Sequence, residues 1–384
     1  MDVPPTADIV IIGGGVMGAG IAWHLASRGT RNLVLLEKEA YFGTGSTGRC
    51  AGGVRYQFST EINIRLSLAS LPMFERFKEE IGQDVNYRQC GYLLVATTEQ
   101  DAAAFRRNVE LQNRLGVQTE LLSGGEIRAR LPLMRFDDAL AGTFHQKDGL
   151  VDPNSVVMGY LNAAQRLGVK AIPNAEVTGI RISGGKVEGV ETSRGVIQTR
   201  TVVNAAGAWA GQIGQMAGVR LPIQPIRRQM FTTTPLPEIP AGFPFVIDFS
   251  QSLYFHREGE GLLVGMSNPH ETPGFDQRVD ETWELTNLEA AIERMPLLER
   301  ARRAAHWAGL YEVTPDAHPI YGATPVEGFL VCAGFSGHGF MHGPVSGKLI
   351  SEFILDGAFS TIDVSMLDLA RFEQGRPIKE YNVV

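Results

Sequence analysis

With 384 residues the chain is long enough for about two domains and a substantial core. A formal charge of −7 argues against a general nucleic-acid surface, and no apolar run reaches the roughly 18 residues of a membrane span. Three widely separated cysteines, Cys50, Cys90 and Cys332, form no metal-ligand pattern and point to a reduced, cytoplasmic setting with no bound metal. The short acidic stretch before the first strand does not read as a signal peptide.

The apolar run 8–12 reads as a strand and leads into Gly13-Gly14-Gly15-Val16-Met17-Gly18. A helical pattern over 19–27 follows, then a second apolar run, 33–36, ending at Glu37 and Lys38. Strand, glycine turn, helix, strand and terminal acid stand in the order a dinucleotide site needs. Gly13 permits the tight turn, Gly15 lets the backbone approach a pyrophosphate, and Gly18 lets the helix pack close to the strand. The N–H groups around Val16 and Met17 then face the phosphates from a helix N-terminus, and Glu37 can accept from ribose hydroxyls. By itself this fingerprint suits FAD or NAD.

Residues 58–81 read as one helix, 90–97 as a strand, and 100–115 as an amphipathic helix. Asp152-Pro153 is a strong helix start, with Asp at the N-cap and Pro in the first turn. From 169 to 203 strands and turns alternate, with Gly184-Gly185 as a hairpin signal. The next strand delivers small residues, Asn204-Ala205-Ala206-Gly207-Ala208-Trp209, to a turn before another helix, a second place for close cofactor approach. Strand-like segments occupy 244–248 and 252–257, and 280–303 reads as helical. Strand 328–333 runs into Gly334-Phe335-Ser336-Gly337-His338-Gly339-Phe340-Met341-His342-Gly343-Pro344, followed by a helix over 345–355. The start, middle and end of the chain thus each carry a strand–loop–helix unit. This predicts an α/β chain, α+β overall: a Rossmann-type cofactor domain (1–85, 145–212, 323–384) interleaved with a mixed-sheet substrate domain (86–144, 213–322).

Three segments, IVIIGGGVMGAGIAWHLASRG, VVNAAGAWA and CAGFSGHGFMHGP, together resemble the FAD-dependent amine oxidoreductases of the D-amino-acid oxidase superfamily. The resemblance spans nearly the whole chain. It points to the branch with sarcosine oxidase, glycine oxidase and the β subunits of sarcosine oxidase and proline dehydrogenase. It makes FAD the expected cofactor over NAD. It adds Ser46, Thr47, Arg49, Cys50, Gly52 and Gly53 as a second flavin-binding stretch and Val177 as the residue cupping the adenine. Ala206, Gly207 and Trp209 would approach the cofactor from the middle unit. A helix starting near Gly343 would aim its positive end at the flavin, with N–H groups from Gly337, His338, Gly339, Phe340 and Met341 stabilising charge on the reduced ring.

The resemblance also implies the chemistry, a hydride equivalent passing from the carbon beside a substrate nitrogen to the flavin. Tyr311 matches an active-site tyrosine of sarcosine oxidases, where glycine and D-amino-acid oxidases tend to carry an arginine. Tyr254 and His256 fall on one face of a strand that roofs the flavin. Arg55 aligns with the arginine that holds the substrate carboxylate, and His338 and Met341 complete the expected reaction centre. Two departures stand out. The cysteine that attaches FAD covalently is Gly309 here, so FAD is expected to bind non-covalently. The oxygen-activating lysine is Leu263, no lysine lies between Lys186 and Lys348, and a second family lysine is Met341. The expected activity is oxidation of a small secondary amino acid, such as sarcosine, to an imine that hydrolyses. Three alternatives remain: a proline-dehydrogenase-type β subunit working with a partner chain, a glycine or D-amino-acid oxidase, and a NAD-dependent dehydrogenase. No nucleic-acid or membrane partner is expected, and a homo-oligomer stays open.

Overall fold

A computed structural model describes residues 3–383. Its six-stranded sheet has the order Ile320–Ala323, Phe329–Ala333, Val202–Asn204, Ile9–Ile12, Leu33–Leu36, Lys170–Ile172. All neighbours pair in parallel except the first two strands, which are antiparallel. Strands from the beginning, middle and end of the chain thus lie side by side, and their loops emerge along one edge.

Strand alternation explains how this sheet is covered on both faces. Ile9, Ile11, Leu33, Leu35 and Val203 point into a core shared with the helices Val16–Ser27, Pro153–Arg166 and Gly339–Asp356. Val10, Ile12, Val34, Leu36 and Val202 point the other way, against Ile180, Val187, Val190 and Ile197 of an antiparallel three-stranded sheet. In that sheet Val177–Ser183 turns back as Lys186–Thr192 through Gly184 and Gly185, both at positive φ, as the two-glycine hairpin demands. Asp152 caps the helix Pro153–Arg166 through two backbone N–H groups.

The second large sheet has eight strands, in the order Arg303–Val313, Gln224–Thr233, Gly261–Met266, Leu253–Glu258, Phe245–Asp248, Tyr92–Ala96, Ala141–His145, Glu120–Leu122. Its pairs are antiparallel except Phe245–Asp248 beside Tyr92–Ala96, so the sheet is mixed. One face packs on the helix Glu281–Arg294 through Phe231, Val246, Phe255 and Val264. The opposite face carries Tyr92, Met230, Phe245, Ile247 and Tyr254 and borders the large cavity.

Three element boundaries differ from the sequence reading. The helix expected over 58–81 breaks at Arg76 into Glu61–Glu75 and Phe77–Ile81. The helix expected over 280–303 ends at Arg294, because Pro296 keeps the preceding Met295 out of helical dihedrals. A short 3₁₀ turn, Pro296–Arg300, then leads into a strand. The closing helix begins at Gly339 rather than near Gly343, and Pro344 lies inside it. A proline early in a helix removes only one bond, here the one the Phe340 carbonyl would accept, so it marks no boundary.

Candidate active site

A cavity of about 500 Å³ runs between the two large sheets. At one end lies the turn after Ile9–Ile12. A Cβ at Gly18 would sit 1.9 Å from the Gly13 carbonyl oxygen, so only glycine lets the helix start this close to the strand. The Gly14 N–H donates to Glu37 Oε2 at 2.8 Å and the Glu39 N–H to Glu37 Oε1 at 2.9 Å. This fixes Glu37 and Lys38 at the cavity wall, with the Lys38 ammonium 3.7 Å from the Trp209 ring centroid. Val177, Ala206 and Gly207 border the same end. Thr47 Oγ1 accepts from the Val16 N–H at 3.2 Å and draws the loop 46–50 over the helix N-terminus.

That loop is tied to the eight-stranded sheet. Ser46 Oγ donates to the Leu310 carbonyl at 2.7 Å, Arg49 Nη1 to the Ala308 carbonyl at 2.7 Å, and Trp307 Nε1 to the Arg49 carbonyl at 3.1 Å. A Cβ at Gly309 would meet Arg49 Cβ at 2.9 Å. The glycine that stands where an attaching cysteine was sought therefore makes room for Arg49. Cys50, Gly52 and Gly53 continue along the wall, and burial raises the Cys50 thiol to about 11, so it stays protonated.

At the other end Tyr254 and Tyr311 line the cavity with Arg55, Arg228 and Met230. Burial raises both phenols above their ordinary range, so both are neutral donors. A Cβ at Gly337 would lie 2.4 Å from the Tyr311 ring, which brings the loop 334–339 directly onto that ring. This loop ends in the helix Gly339–Asp356, whose first turn has no side-chain cap and faces the cavity through Gly339, Phe340 and Met341. His338 occupies the N-cap position, buried, with neither ring nitrogen hydrogen-bonded. Burial and the neighbouring His342 and His318 hold it neutral, far below the usual histidine range.

Every residue singled out from the sequence borders this cavity except two. Gly18 lies behind the wall, at the helix–strand contact. His256 shares a strand face with Tyr254, as alternation requires, but packs at a tilt against Phe245 with centroids 5.0 Å apart and is not among the residues bordering the cavity. Its burial lowers it to about 4, so its imidazole is neutral. Arg55 is present but occupied, because its two terminal nitrogens donate to the carbonyls of Gln57 and Asn382.

The sequence reading missed Arg228 and Glu312. Arg228 was hidden in an Arg-Arg doublet, although a doublet on a strand must send one side chain to each face. Glu312 follows Tyr311, and its Oε2 accepts from the Gly334 N–H at 2.9 Å. Burial raises its carboxyl to about 7, against the opposing N–H groups of Gly334 and Phe335. Outside the cavity Glu281, Glu284 and His306 lie close enough to share a cation, but Arg303 already binds the Glu284 carboxylate.

A glycine cradle at one helix N-terminus, a second uncapped N-terminus, and an elongated cavity joining them fit a dinucleotide with a ring system at its far end. The fold and site define a flavin-dependent oxidoreductase. Comparison with known proteins places it further: residues 8–353 match the family model described as FAD dependent oxidoreductase, and the chain belongs to that family, with FAD as its cofactor. It is 33% identical to mitochondrial dimethylglycine dehydrogenase of Rattus norvegicus over 95% of this chain and 45% of the relative. It is 32% identical to mitochondrial sarcosine dehydrogenase of Homo sapiens over 96% of this chain and 42% of the relative. The chain therefore spans less than half the length of these relatives. Among solved structures, L-proline dehydrogenase from P. horikoshii superposes with a TM-score of 0.90 at 33% identity, covering 97% of this chain and 99% of that one. Glycine oxidase from Geobacillus kaustophilus gives 0.85 at 27% identity, covering 96% and 99%. Among the described residues no helix is long and apolar enough to cross a membrane.

Proposed function

We propose that this protein oxidises a small secondary amino acid, such as sarcosine or proline, at the carbon beside its nitrogen. One observation carries the reading: the end of the cavity away from the glycine cradle combines two neutral tyrosines with guanidinium groups and apolar walls. The names of the relatives support it, since they are dehydrogenases of N-methyl amino acids and of proline.

Bound FAD supplies the acceptor for the two electrons and the hydrogen leaving that carbon. The chain supplies placement and environment. Met230, Phe245 and Ile247 exclude water from one side of the substrate. Such walls disfavour an ammonium ion, so the amine binds unprotonated with its lone pair free to expel the hydride. Tyr254 and Tyr311 offer O–H groups that orient the amine or carboxylate. Arg55 and Arg228 provide the positive charge that a carboxylate requires. The N–H groups at Gly339–Met341, at the start of a helix that borders the cavity, would stabilise negative charge on a bound flavin. The imine product then hydrolyses, giving glycine and formaldehyde from sarcosine.

The acceptor that reoxidises the flavin follows from the cations. Lys38, on the nucleotide side, is the single lysine bordering the cavity among the described residues. Leu263 is buried in the eight-stranded sheet, opposite His256 in register. We therefore assign electron transfer to a partner protein or small carrier rather than rapid reaction with oxygen. Anaerobic mixing with sarcosine or L-proline should bleach the flavin absorbance within seconds, and admission of air should restore it slowly. Absence of bleaching overturns the substrate reading. Rapid recovery in air overturns the acceptor reading.

A further inference from the structure

We infer that Arg228, rather than Arg55, is the guanidinium that receives the substrate carboxylate and so sets specificity for amino acids over simple amines. This rests on the amino-acid reading of the same cavity. Arg227 and Arg228 are consecutive on the strand Gln224–Thr233, so their side chains leave opposite faces. Arg227 is neutralised three times over, by Glu271 at 3.1 Å and by Asp276 and Asp280 at 3.7 Å each. Arg228 borders the cavity and has no carboxylate partner among the described residues. Its Nη1 donates to the Arg227 carbonyl at 3.0 Å, while its Nε is buried without a hydrogen-bond partner. The Nε–Nη2 edge, a planar fork that matches a carboxylate in two parallel hydrogen bonds, makes no bond to any described residue. A buried donor left unpaired is costly and calls for an acceptor.

Position supports the same assignment. The Arg228 Cζ lies 5.2 Å from the Tyr311 ring centroid, and its charge opposes the effect of burial on both Tyr311 and Tyr254. A carboxylate held there sits beside both phenols. Arg55 is already committed. Its terminal nitrogens serve the carbonyls of Gln57 and Asn382, and its plane lies 4.2 Å from the Phe58 ring centroid. Binding a carboxylate at Arg55 would require the segment containing Asn382 to give up that contact. The same segment is anchored by Glu380, which accepts from the N–H and hydroxyl of both Ser59 and Thr60.

The test uses the FAD-loaded protein and an acid that cannot be oxidised at nitrogen. Tetrahydrofuran-2-carboxylate replaces the ring N–H of proline with oxygen and is titrated against the flavin absorbance. Arg228→Gln should weaken this acid about tenfold or more, the loss expected when a charge-assisted pair disappears. Arg228→Lys, which keeps the charge without the fork, should fall between. The affinity for pyrrolidine, which lacks the carboxylate, should stay within about twofold of the parent, whereas a merely structural role would weaken both ligands alike. Unchanged acid binding in Arg228→Gln overturns the inference, as does loss of acid binding in Arg55→Lys with Arg228 intact. Failure of every amino acid to bleach the parent flavin overturns the catalytic reading instead, and the acid titration still decides the role of Arg228.

Discussion

Glu312 shows how much a single side chain in this cavity depends on its surroundings. Its carboxyl is raised to about 7 from an ordinary 4.5, because burial outweighs the two backbone N–H groups it accepts from. Between these values the folded protein holds a proton that the unfolded chain has released. Stability therefore falls as pH rises from about 4.5 to about 7 and levels off above. Glu312→Gln, which cannot ionise, should remove this slope in a series of melting temperatures at graded pH. A slope unchanged in the variant would assign it to other groups. Glu312 was not legible in the sequence, because an acid after an active-site tyrosine looks like any strand-edge charge. Its character comes from burial by distant parts of the fold, which the N–H groups of Gly334 and Phe335, more than twenty positions away, offset only in part. Tyr254 and Tyr311 were legible as cavity residues. His256 was not separable from Tyr254, since alternation fixes the face of a strand but not how far along it the cavity reaches.

At the scale of elements, the close pairing of the helices Val16–Ser27 and Gly339–Asp356 decides where both N-termini point. The pairing depends on small residues. A Cβ at Gly347 would lie 2.7 Å from the Gly20 carbonyl carbon, against backbone that cannot swing aside. Gly347→Ala should lower stability by about 1–3 kcal/mol by overpacking, even though alanine is the better helix former. The measurement is the denaturant midpoint, and an unchanged midpoint with unchanged flavin retention would show that the helices can separate. The first helix and its glycine turn could be read directly, because the strand Ile9–Ile12, the turn and the helix start at Val16 follow one another without a break. The start of the closing helix could not. Pro344 reads as a boundary in one dimension, but five residues of helix, 339–343, precede it, held by packing on Val16 and Phe335.

At the scale of the whole molecule, the interleaving of segments brings three glycine-bearing loops to one cavity. We propose the division of the chain into 1–85, 145–212 and 323–384 for the cofactor and 86–144 and 213–322 for the substrate. The strands Ala141–His145 and Ile320–Ala323 straddle its edges. With glycine at 309 and Arg49 filling the space beside it, no thiol stands where an attaching cysteine was sought. Acid precipitation of the yellow protein should therefore release all flavin into the supernatant as FAD, and flavin retained in the pellet would mean that another side chain attaches it.

By itself the sequence determined the α/β class and the dinucleotide fingerprint from Gly13 to Glu37, because these rest on contiguous patterns; the choice of FAD and the expectations of non-covalent binding and of Tyr254 and Tyr311 in the site came with the family resemblance. Only the tertiary structure decided which charges are free to act. Arg55 and Arg228 are equal as letters. Backbone carbonyls from positions 57 and 382 occupy the first, while the second borders the cavity with its Nε left unpaired. Hydrogen-bond saturation depends on which distant atoms arrive within about 3 Å, and sequence order does not record that.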